Sequence, residues 1–206
     1  MSLLIDKLPT YVTIHGQRYD LNTDFRYYAM FESLMFDDEL TDQEKLEKAL
    51  KLCYKNAIPS DLNAAVDQLM WFYRCGKDEK KRSSRRSAGN KRVYDFEFDD
   101  ALIFSAFRQQ YGVDLHEEEI HWWKFKAMMQ NLSDNTEFVK VMSYRAIEIT
   151  GSMTKSQKEF YQDMKRIHAL PTPAREAKEN NAIVEALLNG GDLSHLNLGG
   201  TANAGN

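Results

Sequence analysis

Two histidines and three glutamates lie close together in the middle of the chain, at His116, Glu117 to Glu119 and His121. The run resembles the helix of zinc proteases, in which two histidines four residues apart bind one metal ion. Here the histidines are five apart, which separates them by about 140° around a helix axis, and position 120 is isoleucine. Since the ligand spacing is absent, we interpret the run as acids at a helix N-terminus that complement the helix dipole.

Other motifs that carry catalysis are missing from the sequence. It has no glycine-rich phosphate loop, no nucleophile elbow and no cysteine pair with metal-ligand spacing. The four acids within residues 95–100 would have to converge to bind a divalent cation, whereas neighbouring helix positions diverge by about 100°. Cys53 and Cys75 are interpreted as ordinary buried thiols. We therefore expect no catalytic residue, no metal site and no cofactor, and a protein that is not an enzyme.

A strongly basic segment interrupts an otherwise acidic chain. Residues 77–92 carry eight Lys or Arg against two acids, so in a chain of net charge −4 the remainder carries −10. The segment has no aromatic or large aliphatic side chain, and it cannot bury enough surface to offset its ordering entropy. We predict a basic flexible linker. Its charges could contact phosphates, but no aromatic residue is interleaved for base stacking, so a nucleic-acid partner is the less favoured interpretation.

The overall composition is that of a soluble globular protein. The chain has 206 residues, of which 43% are hydrophobic and 28% charged. No apolar run approaches the ~18 residues of a membrane span, and Asp6 and Lys7 interrupt the short apolar run at the N-terminus. We therefore expect a cytoplasmic protein with no membrane partner.

Turn and capping residues predict a mainly α protein with one small β element. Residues 11–14 and 17–21 alternate around His15 and Gly16, which predicts a hairpin. Helix starts are predicted at Asn22 or Thr23, Thr41, Ser60, Asp99, position 115, Asp134, Thr154 and Thr172. The helix from position 115 is expected to run to 131. Gly112 is expected to end the helix before it.

The predicted fold class is therefore mainly α, as helical bundles with a short N-terminal β-hairpin. Four segments are expected: 1–76, the hairpin plus three helices; 77–92, the basic linker; 93–189, a C-terminal helical bundle; and 190–206, a disordered tail.

One predicted helix is apolar on nearly all sides. Ile120, Trp123 and Ala127 form one stripe, and Trp122, Phe125, Met129 and Leu132 form a second. Either this helix is packed on both sides, or one stripe is core and the other binds a partner. The predicted partner contacts are Trp122, Phe125, Met129 and Phe138. The predicted core residues are Ile103, Phe107, Ile120, Trp123 and Met142.

Several of these residues form a recognisable pattern over roughly residues 10–170. It consists of Tyr94-Asp95-Phe96, Asp99, Ile103, Phe107, Tyr111-Gly112-Val113-Asp114-Leu115, His121-Trp122-Trp123-Lys124-Phe125, Leu132, Thr136, Phe138, Met142 and Tyr144-Arg145. The pattern resembles a family of small tail-module proteins in tailed phages and prophages of Gram-positive bacteria, encoded between the major tail protein and the tape-measure protein.

The resemblance implies a tail-assembly chaperone. Such a protein would keep the long helical tape-measure protein soluble in the host cytoplasm, help subunits of the major tail protein polymerise around it, and be lost from the finished virion. Self-association is compatible with this role, because several weak copies along one client gain avidity. Two alternatives stay open: a structural tail or connector component retained in the virion, and a nucleic-acid-binding factor acting through residues 77–92.

Overall fold

A computed structural model describes residues 2–77 and 92–171 of the chain. This part is mainly α with one antiparallel hairpin near the N-terminus, which confirms the predicted fold class. The strands are β1 (Tyr11–Ile14) and β2 (Gln17–Asp20), and the helices are α1 (Phe25–Met35), α2 (Asp42–Cys53), α3 (Leu62–Tyr73), α4 (Asp100–Tyr111), α5 (Trp122–Gln130), α6 (Glu137–Ala146) and α7 (Lys155–Ile167). No helix within these two ranges is long and apolar enough to cross a membrane.

The predicted hairpin is confirmed together with its turn. Ile14 pairs with Gln17, which leaves His15 and Gly16 as a two-residue connection. Their φ angles are 49° and 80°, and two consecutive positive φ values are what a tight turn of this hand requires. Val12 and Ile14 are buried while Tyr11 and Thr13 are exposed, so alternation in the sequence sets the buried face.

Capping residues fix several helix ends as the sequence predicts. Thr41 and Glu44 form a reciprocal capping box at the start of α2, and Thr154 and Gln157 form another at the start of α7. In each pair the hydroxyl accepts from a backbone N–H while the longer side chain accepts from the cap's own N–H. Gly112 ends α4 with φ +69°, in the left-handed conformation that favours glycine.

Several predicted helix starts are displaced by one to three residues, and α6 begins at Glu137 instead of directly after Asp134. Asp24 caps α1, instead of Asn22 or Thr23, and Asp61 caps α3, instead of Ser60. The side chain of Asn22 donates to a backbone carbonyl in the last turn of α2. A tertiary contact therefore uses the polar group that the sequence pattern assigned to the helix end.

The predicted helix over 115–131 is wrong in its first half, since α5 begins only at Trp122. The backbone just before it is engaged elsewhere. Phe25 N–H donates to Ile120 O at 2.8 Å, and Trp122 N–H donates to Thr23 O at 2.7 Å. Because these bonds join the segment to the start of α1, it stays outside the helix, and its acids do not lie at a helix N-terminus.

Contacts divide the chain into two compact units, Met1–Lys140 and Val141–Asn206. In the first unit the hairpin is joined to the helices that follow it. Leu21 forms a β-bridge with Tyr54, whose hydroxyl donates to Ala65 O at 2.8 Å. Residues on both sides of the 77–92 segment contribute to this unit, and its buried aromatic side chains come mainly from α1, α3, α4 and α5.

The described part of the second unit, residues 141–171, contains the end of α6 and all of α7. The Tyr144 ring stacks on His168 and meets the Phe160 ring edge-on. Arg145 is buried, and its Nε donates to His168 O at 2.5 Å. Lys165 Nζ donates to Arg145 O at 3.0 Å. These contacts hold the two helices together.

Three predictions lie outside the described residues. They are the flexible linker, of which the structure describes only Lys77 and Arg92, the helix starting at Thr172, and the disordered tail at 190–206.

Candidate functional site

A groove of about 570 Å³ opens between α1 and α4 in the first unit. We call it the α1/α4 groove. Its apolar lining comprises Phe25, Ala29, Phe96, Ala101, Ile103, Phe104, Leu115 and Phe125. Ala101 and Ser105 are exposed and Phe104 is 39% exposed, so the groove is open to solvent along α4. It is a surface on which another apolar chain could bury area.

The floor of the groove is a stack of aromatic rings. The ring of Phe125 lies between those of Phe25 and Phe107, at centroid distances of 4.3 Å and 4.9 Å, and is within 10° of parallel to both. Phe125 itself has no exposed surface. Since stacked rings in a close-packed core have little freedom to move, the floor is preformed.

One wall depends on a capped turn before α4. The carboxylate of Asp95 accepts hydrogen bonds from Glu97 N–H at 2.7 Å and from Phe98 N–H at 3.0 Å. Asp95 also forms an ion pair with Arg92. The turn places Phe96 at the groove, with its ring 6.1 Å from that of Phe125. The carboxylate is therefore engaged in folding the turn.

The guanidinium of Arg26 fixes the loop that forms one end of the groove. Arg26 Nη2 donates to the backbone carbonyls of Leu115 at 2.5 Å, His116 at 3.0 Å and Glu118 at 3.2 Å. Its Nη1 lies 3.0 Å from both carboxylate oxygens of Asp24. Arg26 therefore holds this loop against α1 and keeps Leu115 and His116 at the groove.

The two tryptophans at the start of α5 belong to the core. Trp122 Nε1 donates to Tyr73 O at 2.9 Å and Trp123 Nε1 donates to Phe72 O at 2.8 Å. The Trp122 ring stacks on those of Tyr28 and Tyr73. Each indole has its polar atom satisfied and its ring covered, so both anchor α5 to the end of α3.

A buried carboxylate lies beside these rings. Glu32 accepts a hydrogen bond from the Tyr73 hydroxyl at 2.5 Å and another from the Tyr94 hydroxyl at 2.9 Å. Lys126 Nζ lies 4.1 Å from the centroid of the Tyr73 ring and 4.7 Å from that of Trp122. Burial lowers the pKa of Lys126, while the charge of Glu32 opposes that shift. Both charges have partners, as buried charges require.

The structure places most of the predicted site residues inside the protein. Of the predicted partner contacts, Trp122, Phe125 and Phe138 are at most 1% exposed and Met129 is half-buried. Of the predicted core, Ile103, Phe107, Ile120 and Trp123 are buried and Met142 is half-buried. Only Phe125 and Ile103 from these sets line the α1/α4 groove, as part of its inner surface.

Sequence reasoning missed the groove residues Phe96, Ala101 and Phe104. The sequence did contain a signal for Phe104. Ile103 and Phe107 mark the inward face of α4, so Phe104 is a large apolar residue one position off that face.

The groove has the chemistry of a binding surface. Its lining offers mostly carbon, with polar side chains only from Asp100, Ser105 and His116. Within residues 2–77 and 92–171, no three His, Cys, Asp or Glu side chains are grouped so that they could hold a metal ion. What the arrangement can do is cover apolar side chains of another molecule.

Comparison with known proteins finds a matching family model. A family model described as Bacteriophage Gp15 protein matches residues 4–170. No curated protein and no solved structure matches the chain. The matched range includes every helix and strand described above.

Proposed function

We propose that this chain, which belongs to the Bacteriophage Gp15 protein family, is a non-catalytic tail-assembly chaperone. It would bind an apolar helical segment of the tape-measure protein in the host cytoplasm and assist assembly of the tail tube. The family supports a role in a bacteriophage, and the finer role comes from the resemblance of the sequence to tail-module proteins.

The α1/α4 groove is the observation that carries this proposal. An amphipathic helix binds by laying its apolar face into a groove between helices, with anchors three, four and seven residues apart. The groove offers the half-buried ring of Phe96 and a partly exposed wall at Phe104, above the buried stack that contains Phe125. A client helix that covers Phe104 removes apolar surface from water on both molecules, which is the main driving force for association.

A chaperone needs reversible contacts more than tight ones. A groove of this size takes only a few side chains at a time, so one copy would bind one short stretch of the client. Several copies along an extended client would together keep it soluble.

The test is co-expression with the tape-measure protein of the same genome, followed by affinity capture and size-exclusion chromatography with light scattering. We expect the tape-measure protein to become soluble and to co-elute with several copies of this chain. Phe104→Ser removes an apolar groove wall without changing charge. Leu62→Ser is the matched control, because Leu62 is 51% exposed on α3 and does not line the groove.

The proposal predicts that Phe104→Ser releases the client and that Leu62→Ser does not. Equal co-elution of both variants would exclude the groove as the binding site. A tape-measure protein that stays insoluble alone would remove the chaperone role. Mass spectrometry of purified virions tests the alternative of a structural tail component, because stoichiometric retention contradicts a transient chaperone.

A further inference from the structure

The two chain segments that flank the α1/α4 groove are strongly acidic. Residues 95–100 contain four carboxylates and no Lys or Arg, and so do residues 114–119. The first segment supplies Phe96 to the groove and the second supplies Leu115 and His116. Negative charge therefore lies on both sides of an apolar depression.

Some of these carboxylates are engaged within the fold. Asp95 is paired with Arg92 and caps its own turn. Asp114 accepts from the backbone N–H of His116 at 2.9 Å. The nearby guanidinium of Arg26 is paired with Asp24 and donates to backbone carbonyls. The ion pairs Asp95–Arg92 and Asp24–Arg26 add little net charge to the groove, whereas Asp114 keeps its negative charge.

Other carboxylates form no ion pair among the residues that the structure describes. Glu117 and Glu119 are exposed, and neither of them forms an ion pair within the part of the chain that the structure describes. Glu97 lies instead in a separate depression that Arg92 also lines. Asp100, which lines the groove, accepts only from the N–H of Ala101 in the same part. An apolar groove bordered by unpaired negative charge favours a positively charged ligand and repels a polyanion.

We infer that the α1/α4 groove takes a basic amphipathic helix of a partner protein. The apolar anchors of that helix pack over Phe96 and Phe104. Lys or Arg on its flanks face Asp100 on one side and Glu117 and Glu119 on the other. The inference rests on the proposed function, because it names the chemistry of the client segment bound by the same groove. It disfavours acidic helices, nucleic acids and anionic membranes at this face.

Three synthetic helical peptides serve as probes. They share one apolar face with Leu or Phe at positions i, i+3, i+4 and i+7, and carry Lys, Gln or Glu at the flanking positions. Binding to the full chain is measured by fluorescence anisotropy at low and high salt. We expect the Lys peptide to bind about tenfold tighter than the Gln peptide at low salt and the Glu peptide to bind weakest, with the differences shrinking to about threefold or less near 0.5 M salt.

A charge-matched pair of triple variants localises the effect. Asp100→Asn, Glu117→Gln and Glu119→Gln together should weaken Lys-peptide binding about tenfold and leave Gln-peptide binding unchanged. The control removes three exposed acids elsewhere, through Glu39→Gln, Asp67→Asn and Glu148→Gln. It should change Lys-peptide binding by less than about twofold.

The outcomes separate this inference from the proposed function. If the three peptides bind equally, or if both triple variants weaken the Lys peptide alike, the charge preference is overturned. The proposed function then still stands provided that Phe104→Ser releases the tape-measure protein. If the Lys peptide binds in the expected order but Phe104→Ser leaves its affinity unchanged, the charge acts outside the groove and the inference fails as well.

Discussion

Gly76 packs directly against the indole of Trp123: a Cβ atom at position 76 would lie 2.9 Å from Cη2 of that ring. The φ angle of Gly76 is +69°, and its N–H donates to Trp71 O at 2.9 Å. The end of α3 can therefore approach α5 this closely only because residue 76 has no side chain.

Gly76→Ala should lower the free energy of unfolding by about 2–4 kcal/mol, from a positive φ that costs a Cβ about 1–2 kcal/mol and from the clash with Trp123. Gly112→Ala is the matched control, since Gly112 has the same φ and a Cβ atom there would meet nothing within 4 Å. Gly112→Ala should lower the free energy of unfolding only by the cost of the positive φ, about 1–2 kcal/mol. Urea unfolding followed by circular dichroism measures both, and equal losses would show that Trp123 does not constrain residue 76.

Trp122 should behave as a stability residue. Trp122→Ala removes a buried indole and its hydrogen bond to Tyr73 O, which should cost about 3–5 kcal/mol. Phe160→Ala, at an aromatic residue that is 48% exposed on α7, should cost less than about 1 kcal/mol. Thermal unfolding and client capture are measured in parallel. Unchanged stability with lost capture would instead favour the predicted partner contact at Trp122.

His121 should make the fold sensitive to mild acid. Its Nδ1 accepts the N–H of Trp123 at 3.1 Å, so Nε2 carries the hydrogen and donates to Pro9 O at 3.0 Å. Protonation of Nδ1 would break the helix cap, and burial lowers the pKa of His121 below its ordinary 6.5. Below pH 6.5 the unfolded chain therefore binds a proton that the folded protein excludes, so stability falls as the pH is lowered.

Unfolding free energies at about pH 7 and about pH 5 test this dependence. The wild-type protein should lose stability on acidification, and His121→Asn should lower stability at neutral pH but remove most of the difference between the two conditions. His116→Gln, at an exposed histidine, should keep the wild-type dependence. A His121→Asn variant as acid-sensitive as the wild type would contradict the assignment.

Buried tyrosines should resist ionisation until the protein unfolds. Burial, the largest cause in each case, raises the pKa of Tyr28, Tyr54, Tyr73 and Tyr94 above the ordinary 10.0, and the charge of Glu32 adds to the shift for Tyr73 and Tyr94. Above about pH 10 the unfolded chain loses protons that the folded chain retains. The stability that these groups contribute is complete below that pH and is lost as the pH rises above it.

A spectrophotometric titration of tyrosinate measures this directly. The chain has ten tyrosines, and we expect at least these four hydroxyls to ionise only together with loss of the helical circular-dichroism signal. In the Tyr94→Phe variant, the number of tyrosines that ionise only on unfolding should fall by one. Ionisation of all tyrosines near the ordinary pKa with the helices intact would show that these hydroxyls are not held by the fold.

Local patterns predicted local structure well. The hairpin turn at His15 and Gly16, the capping boxes at Thr41 and Thr154, and the left-handed residue at Gly112 each depend on a few neighbouring residues. The same approach placed the start of the double-tryptophan helix too early. There the backbone of Ile120 bonds to Phe25, far away in sequence, and no local pattern contains that partner.

The sequence by itself determined most of the helices, the hairpin, and the acidic composition of 95–100 and 114–119, because period, capping and charge are properties of nearby residues. Only the tertiary structure decided that the Trp122 indole is buried and that the open apolar surface lies between α1 and α4. A groove exists where helices distant in sequence fail to close on each other, and that depends on how their side chains pack together.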